Sequence, residues 1–412
     1  MSTSATTPWA RRMKRERQLR GWTQRDCVRR LQYEASRVLP EESTLIDQWK
    51  RWESGRVLPS LEYQRLIAAI FGSVSGAMFA APRDPQDVMV SAGTPASVTT
   101  EVLSRLQASA IDQATLDALR LTVDRLCADY PTVPATQLLM EGRSWLARIS
   151  DLLDMRVTLS QHRELLSLSG MLALLIGCLE QDTGASTHAE ATRRSANLLG
   201  VEADDHDVIG WSYEMSCWFA LTRGDYGAVL AASTAGIEAA GERSVSVQLR
   251  AQQAKAWARI GDRRKVEVSL DQGRTLLESL PYPTDPAHHF IVDPQKFDFY
   301  SMDVLRTVGE DRIADSLADE VLRSCTTWDG TVISPMRAAE AWVSKGVIAA
   351  RAGDLEAAVE HGRNALEGER KSLPSLAMVG QELSSELRVH YPHEPLAQEY
   401  TNELAQIMKA DA

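Results

Sequence analysis

Residues 342–365, WVSKGVIAARAGDLEAAVEHGRNA, contain two short helical patterns separated by Gly353-Asp354. Glycine suits the left-handed end of a helix, and aspartate suits the cap that begins the next one. Gly346 and Ala365 are small enough to let the two helices approach closely where they cross. The stretch therefore predicts a tightly turned pair of packed helices.

The same turn recurs twice earlier in the chain, at Gly224-Asp225 and Gly261-Asp262. Each of the three turns has a small residue seven positions before its glycine and another twelve positions after it. These small residues are Cys217, Ala254 and Gly346 before the turns, and Gly236, Gly273 and Ala365 after them. A repeated packing rule of this kind indicates repeated helical hairpins.

Nearly the whole chain after residue 100 has apolar residues at helical spacing, and no run alternates as a strand would. Two less regular hairpins are expected, one in Phe297–Arg323 around Gly309-Glu310 and one that turns near Asp182-Thr183-Gly184. Helical pairs that cannot bury their apolar faces alone stack and share a core, which leaves one concave face. The sequence predicts an all-α protein whose residues 100–412 form an α-solenoid.

The stretch 342–365 also resembles the tetratricopeptide repeat, which has an early aromatic residue, small residues at the helix crossing and a central turn. Trp342, Gly346, Ala349 and Ala358 supply these features here. The resemblance implies a groove that binds a ligand or a peptide. Packing alone also explains the turns and the small residues, so the ligand stays open.

Composition indicates a soluble protein. The chain has 412 residues, of which 44% are hydrophobic and 25% are charged, and no apolar run approaches the ~18 residues of a membrane span. The basic N-terminus is not followed by an apolar block, so a cytoplasmic location is expected. The cysteines lack paired spacing, which favours a reducing compartment and no zinc site. They are Cys27, Cys127, Cys178, Cys217 and Cys325.

Charge divides the chain into two parts. Residues 1–80 carry 14 Lys and Arg against 8 Asp and Glu, whereas residues 81–412 carry 31 against 48. A basic segment neutralises phosphates, and an acidic one is repelled by them. Residues 82–99 contain three prolines and a glycine without helical periodicity. The contrast favours a nucleic-acid partner for the basic part, but charge varies along any chain and does not decide this alone. We predict a basic N-terminal domain at 1–80, a linker at 81–99 and a separate helical domain beyond it.

The basic segment contains four short helical patterns. Thr7-Pro8 is typical of a helix start, and Gly21 ends this first helix. Thr23 and Asp26 have the spacing of a capping box, so a second helix is expected to begin there and to extend to about Arg37. The residues of the second helix that are expected to face inward are Cys27, Val28 and Leu31.

A third helix is expected to begin near Ser43 and to end at Gly55. At helical spacing it has two different faces: one is apolar and packs, and the other is polar. The apolar face holds Leu45, Trp49 and Trp52, and the polar face holds Thr44, Asp47, Lys50, Arg51 and Ser54. The apolar face of a fourth helix is expected to consist of Leu61, Leu66, Ile67, Ile70 and Phe71.

The strings Gly21–Gln24 (GWTQ) and Trp52–Gly55 (WESG), the following Pro59 and the helix end Ala69–Gly72 (AIFG) resemble the Xre-type, lambda-repressor-like DNA-binding domains. The resemblance covers about residues 8–75. It implies a helix-turn-helix bundle whose third helix enters the major groove of double-stranded DNA. The 21 positions from Thr23 to Thr44 exceed the usual spacing of the family, through an insertion centred on residues 32–42.

The same resemblance implies which residues contact DNA. Gln24 is the anchoring residue, and the remaining candidates are Thr44, Asp47, Gln48, Lys50, Arg51 and Arg56. Asp47 and Gln48 can exchange hydrogen bonds with base edges, and Arg51 can bind guanine through two bonds. Lys50 and Arg56 are expected to meet phosphate.

The combination of an Xre-type head and a tetratricopeptide-like body resembles the two-domain regulators of GC-rich Gram-positive bacteria. It implies a homodimer that binds a DNA operator and senses a peptide or small-molecule effector. The alternative is a protein-interaction adaptor whose head no longer reads DNA. No phosphate loop, nucleophile elbow or zinc helix is present in the sequence, so neither an enzyme nor a cofactor is expected.

The segment 281–300, PYPTDPAHHFIVDPQKFDFY, interrupts the helical repeats with four prolines and two adjacent histidines. We hypothesise that four of its residues line the concave face and bind the effector: His289, Asp293, Lys296 and Tyr300. The alternative is a rigid connector with histidines at its surface. Because adjacent histidines rarely face one ion, no metal site is expected.

Overall fold

The computed structural model describes residues 7–35, 37–71, 73, 78–79, 109–368 and 370–410. These residues form 18 α-helices and no β-strand, with one isolated antiparallel bridge between Thr326 and Val332. The prediction of an all-α fold is confirmed. The chain divides into two compact units, Met1–Val102 and Leu103–Ala412. The predicted linker at 81–99 lies outside the described residues.

The first unit contains four described helices, with bounds α1 Pro8–Leu19, α2 Gln24–Glu34, α3 Glu42–Glu53 and α4 Leu61–Ile70. Thr23 caps α2 through the predicted capping box with Asp26. The residues predicted to face inward from α2 and α3 are buried, and Met13 and Ile67 complete the core. The predicted burial is confirmed: the apolar residues that recur at helical spacing are the ones that pack in the core.

Two expectations for this unit are wrong. The second helix ends at Glu34 rather than near Arg37, because Ala35 is already extended, with φ −73° and ψ 131°. The chain then returns to the core, against which Leu39 packs. Leu61 is 74% exposed, since it begins α4 at the end of the helix that lies outside the apolar core.

The second unit contains fourteen described helices. Their bounds are α5 Gln113–Asp129, α6 Ala135–Leu153, α7 Leu159–Asp182, α8 Ser186–Ala203, α9 His206–Thr222, α10 Tyr226–Ala240, α11 Ser244–Ile260, α12 Arg263–Ser279, α13 Pro294–Thr307, α14 Asp311–Ser324, α15 Pro335–Ala352, α16 Leu355–Glu367, α17 Leu373–His390 and α18 Pro395–Ala410. Each helix packs against the next one in the chain. From α5 to α17, each odd-numbered helix also packs against the next odd-numbered helix. The superhelical arrangement of these pairs stays a prediction.

The three predicted turns between helices are confirmed. Gly353 has φ +91°, a left-handed conformation that a side chain rarely adopts, and Gly224 and Gly261 are similar. The aspartate that follows each glycine caps the next helix; the Asp354 carboxylate accepts a 3.0 Å bond from the backbone N–H of Ala357. Turns also lie at Gly184 and Gly309, as predicted.

The small residues at the crossings are also confirmed. A Cβ atom at Gly236 would lie 2.7 Å from the Tyr213 Cβ atom and 2.9 Å from a Leu249 methyl group. A Cβ atom at Gly346 would lie 3.0 Å from the carbonyl oxygen of Ala358. Both distances are shorter than ordinary van der Waals contacts, so these positions bring neighbouring helices together.

Helix α7 is long and apolar enough to cross a membrane by length and composition. However, 78% of the most apolar 18-residue stretch of this helix is buried inside the protein. This burial is typical of the core helix of a soluble protein.

Candidate functional site

Helix α3 of the first unit separates a packed face from a polar edge. Leu45 and Trp49 are fully buried against the other helices. The predicted DNA-contacting residues of α3 that are exposed are Thr44, Asp47, Lys50 and Arg51. Within this unit, the polar edge is therefore accessible to a ligand.

The polar edge carries charges of both signs. The Asp47 carboxylate lies 3.0 Å from the Lys50 ammonium, and both side chains are exposed. Arg51 and Arg56 are also exposed, and neither forms an ion pair with another described residue. Gln48 lies at the border of the edge, because it is half-buried and its Oε1 atom is buried without a hydrogen-bond partner.

Gln24 joins the two sequence strings that carry the family resemblance. Its Nε2 donates a 2.5 Å hydrogen bond to Oε2 of Glu53, at the end of α3. Arg17 of α1 donates to the other oxygen of the same carboxylate at 2.7 Å. The arrangement joins the ends of α1 and α3 to the start of α2 and positions the Gln24 side chain. Its contact with DNA stays a prediction.

Sequence reasoning did not assign the exposed basic residues of α1 to the site. Gly55 lies against Thr7 and Ala10, which brings the start of α1 to the end of α3. Arg11 and Arg56 follow these contacting residues and are both exposed. The run of basic residues from Arg11 was the signal that could have indicated a second source of phosphate contacts.

The second unit contains a partly open cavity of about 120 Å³. Its walls come from the odd-numbered helices α7 to α17, together with residues 130–131 and the connector before α13. Three of the four predicted effector residues, His289, Lys296 and Tyr300, line it. Asp293 is not among the residues that line it. It precedes Pro294 and caps α13, accepting a 2.8 Å bond from the backbone N–H of Lys296.

The two adjacent histidines face different neighbours. The His289 ring lies 3.9 Å from the Tyr130 ring, between ring centroids, and its burial holds the pKa of His289 well below the usual range. His288 instead lies 3.8 Å from the Asp124 carboxylate. His288 is buried and His289 is partly buried, and of the two only His289 lines the cavity.

Lys296 is buried and fixed. Its ammonium nitrogen donates to the backbone carbonyls of His289 at 2.5 Å and of Ile291 at 3.1 Å. Burial, followed by repulsion from Arg337, lowers the pKa of Lys296 to about 7. A lysine of this kind changes charge near neutral pH.

The most polar wall of the cavity was missed by sequence reasoning. Oε1 of Glu214, on α9, accepts 2.7 Å hydrogen bonds from Nε2 of both Gln248 and Gln252, on α11. Lys255 continues the same face of α11. The available signal was the spacing of Gln248, Gln252 and Lys255, four and then three residues apart, which places polar groups on one face of a helix otherwise rich in alanine.

A buried charge cluster lies beside this wall. The Asp303 carboxylate of α13 is 3.0 Å from Arg259 and 3.6 Å from Lys255, and it also contacts Arg306. These basic groups hold the pKa of Asp303 well below its usual range, against its burial. Glu382 of α17 binds Arg259 and Arg306 at 2.8 Å. The cluster fixes α11, α13 and α17 around the cavity.

A second set of bonds joins the segment before α17 to the early helices. Arg370 donates to the Asp182 carboxylate at 2.7 Å and lies 4.8 Å from the Tyr130 ring centroid. The Tyr130 hydroxyl donates to the same carboxylate at 2.6 Å. Trp218 Nε1 donates to the Ser375 hydroxyl at 2.9 Å. These bonds close the ring of helices that surrounds the cavity.

Neither a scan against protein-family models nor a search of curated proteins returned a match for the chain.

Proposed function

We propose that the protein is a cytoplasmic, sequence-specific DNA-binding regulator of transcription whose helical second unit binds an effector. In this proposal α3 reads base edges in the major groove, and the protein acts as a homodimer on a DNA operator. The cavity takes the effector, either a small molecule or part of a peptide, and the protein is not an enzyme.

The observation that carries the proposal is the division of α3. A helix that buries Leu45 and Trp49 but leaves four polar residues exposed along one edge has the form of a recognition helix. The net charge of +6 over residues 1–80 supports phosphate binding by the same unit. Regulation further requires that the effector bind the DNA-competent and the incompetent states with different affinity.

The experiment selects genomic fragments that bind the full-length protein and measures their affinity at several salt concentrations. Each phosphate contact should lower log K by about 0.9 per tenfold rise in salt. Arg51→Ala should cost about 1–3 kcal/mol and relax the preference at one base pair, whereas Lys50→Ala should weaken binding to all sequences equally.

Arg264→Ala, which removes an exposed arginine from α12, is the matched control and should leave DNA binding unchanged. Equal losses on selected and scrambled DNA for both head variants would mean that the polar edge of α3 does not read bases.

The second candidate is a protein-interaction adaptor. It is favoured by two large side chains near the insertion, Tyr33 and Val38, which are 92% and 94% exposed. Such groups mark a surface for another protein only where they form a contiguous apolar patch, which the adaptor function requires of this region. If the protein binds no genomic fragment even at low salt, the adaptor function replaces the regulator function.

A further inference from the structure

Four buried side-chain oxygen atoms of the described lining residues have no hydrogen-bond partner. Two of them are Oε2 of Glu340, on α15, and Oγ of Ser372, just before α17. The other two are the Oε1 atoms of Gln248 and Gln252, which are residues only 4% and 3% exposed. Both amides are already fixed through Nε2 by the Glu214 carboxylate. Because a buried acceptor without a partner is costly, this wall is suited to a ligand that donates hydrogen bonds.

The carboxylate between these amides forms no ion pair with a described residue. Burial raises the pKa of Glu214, and the more distant charges of Lys296 and Lys255 oppose this rise only in part. Glu214 is 6% exposed, and no basic group of the described residues lies within ion-pair distance of it. A buried carboxylate that contacts only neutral amides is stabilised when a cation joins it. A primary ammonium carries three N–H donors, one for each of these three acceptor groups.

A positive charge, opposite in sign to that of Glu214, lies at the start of α15. Arg337 lines the cavity and has no hydrogen bond or ion pair with another described residue. The other two basic groups of the lining are occupied, Lys255 beside Asp303 and Lys296 on backbone carbonyls. A guanidinium binds a carboxylate through two parallel hydrogen bonds, so Arg337 is suited to an anionic group.

The rest of the lining suits an apolar group. Trp218, Phe299 and Tyr300 supply aromatic surface, and Met336 and Met378 supply adaptable side chains. The volume of about 120 Å³ compares with the ~150 Å³ of an engineered cavity that holds one benzene molecule. One apolar side chain of about that size fits inside this volume.

We propose that this cavity binds a small zwitterion of the free amino acid class. Its ammonium binds Glu214, Gln248 and Gln252, its carboxylate binds Arg337, and its side chain is apolar. As the identity of the effector, this inference rests on the proposed function, but the binding itself does not require DNA.

The test compares matched ligands by calorimetry on the full-length protein. One set is phenylalanine, phenethylamine and 3-phenylpropionate, and the other is leucine, 3-methylbutylamine and 4-methylpentanoate. At least one amino acid should bind roughly tenfold or more tightly than both of its single-charge analogues, because each analogue leaves one charged wall unpaired. The proposal is overturned if neither amino acid binds, or if an analogue binds equally well.

Two variants assign the charges to the proposed groups. Glu214→Gln should lower the affinity for the preferred amino acid by roughly 10- to 100-fold and abolish its advantage over the carboxylate-only analogue. Arg337→Met should abolish the advantage over the amine-only analogue. Glu267→Gln and Arg264→Met change exposed residues of α12 and should leave both advantages intact. Wild-type ligand preferences keep the test decisive even if a cavity variant does not fold.

DNA binding of the same samples separates this inference from the proposed function. Amino acid binding without any DNA binding would retain the cavity assignment and reject the regulator. DNA binding without amino acid binding would retain the regulator and reject the zwitterion.

Discussion

At the scale of the residue, burial changes the chemistry of a side chain more than its type does. Lys296 and Lys345 are both lysines of the second unit, yet burial lowers the pKa of Lys296, whereas two neighbouring aspartates raise that of Lys345. The difference comes from the surroundings. Lys296 is held by neutral carbonyls, and Lys345 lies 2.8 Å from each of Asp315 and Asp319.

The lowered pKa of Lys296 predicts a pH dependence of stability. The folded-state value is about 7 and an unfolded lysine titrates near ~10.4, so between these values the unfolded chain binds more protons. The contribution of Lys296 to stability should therefore rise with pH across this window, by at most about 1.4 kcal/mol per pH unit. Below pH 7 Lys296 is protonated in both the folded and the unfolded chain, so burial of its charge lowers the stability by the full amount.

Urea unfolding at pH 7 and pH 9 tests this contribution. The free energy of unfolding of the wild type, minus that of Lys296→Met, should increase between the two pH values. Lys265→Met, at an exposed position of α12, should show no such increase. A difference that stays constant for Lys296→Met would contradict the assigned pKa.

At the scale of the helical element, two glycines of α10 have opposite roles. A Cβ atom at Gly236 would meet the Tyr213 Cβ atom at 2.7 Å, and that atom is bound to the backbone and cannot turn away. A Cβ atom at Gly227 would meet only a carboxylate oxygen of Asp225, at 3.7 Å. The first glycine permits a helix crossing, and the second lies on an exposed part of the helix.

Alanine substitution separates these two roles. Gly227→Ala should stabilise the protein by up to about 1 kcal/mol, because alanine favours the helix. Gly236→Ala has the same helical advantage but should destabilise by about 1–3 kcal/mol through overpacking. Thermal and urea unfolding measure both changes. Equal stabilisation by the two substitutions would show that the crossing at Gly236 is not tight.

At the scale of the whole molecule, bonds within the second unit join residues that are distant in the chain. Arg370 and Asp182 are 188 positions apart, and both are at least nine-tenths buried. The segment that holds Arg370 connects α16 to α17, and α17 also packs against α7 and α9. The late and early helices that these contacts join surround the cavity.

Removal of the arginine should therefore destabilise the second unit. Arg370→Met leaves the Asp182 carboxylate buried without its cation, and we expect a loss of about 3–5 kcal/mol in the free energy of unfolding. The double variant Asp182→Asn with Arg370→Met should lose less than the single variant, since no uncompensated charge remains. Urea unfolding measures the free energy of unfolding of both variants. A double variant that is the less stable of the two would reject the charge argument.

The sequence by itself determined the features that depend on neighbours along the chain. The capping box at Thr23, the three Gly-Asp turns and the buried face of α3 all follow from residues a few positions apart, and each was predicted correctly. Helix caps and apolar periodicity act over one or two turns, so the chain records them directly.

Tertiary structure alone decided which side chains meet. Glu214 and its two glutamines belong to different helices, and nothing local to either helix indicates their contact. The end of α2 is a second case, because Ala35 is extended and Leu39, further along, packs against the core. Asp293 is a third case, because it caps a helix instead of lining the cavity. Hydrogen bonds and ion pairs across tens or hundreds of residues depend on how helices pack, and one helix cannot specify that by its own sequence.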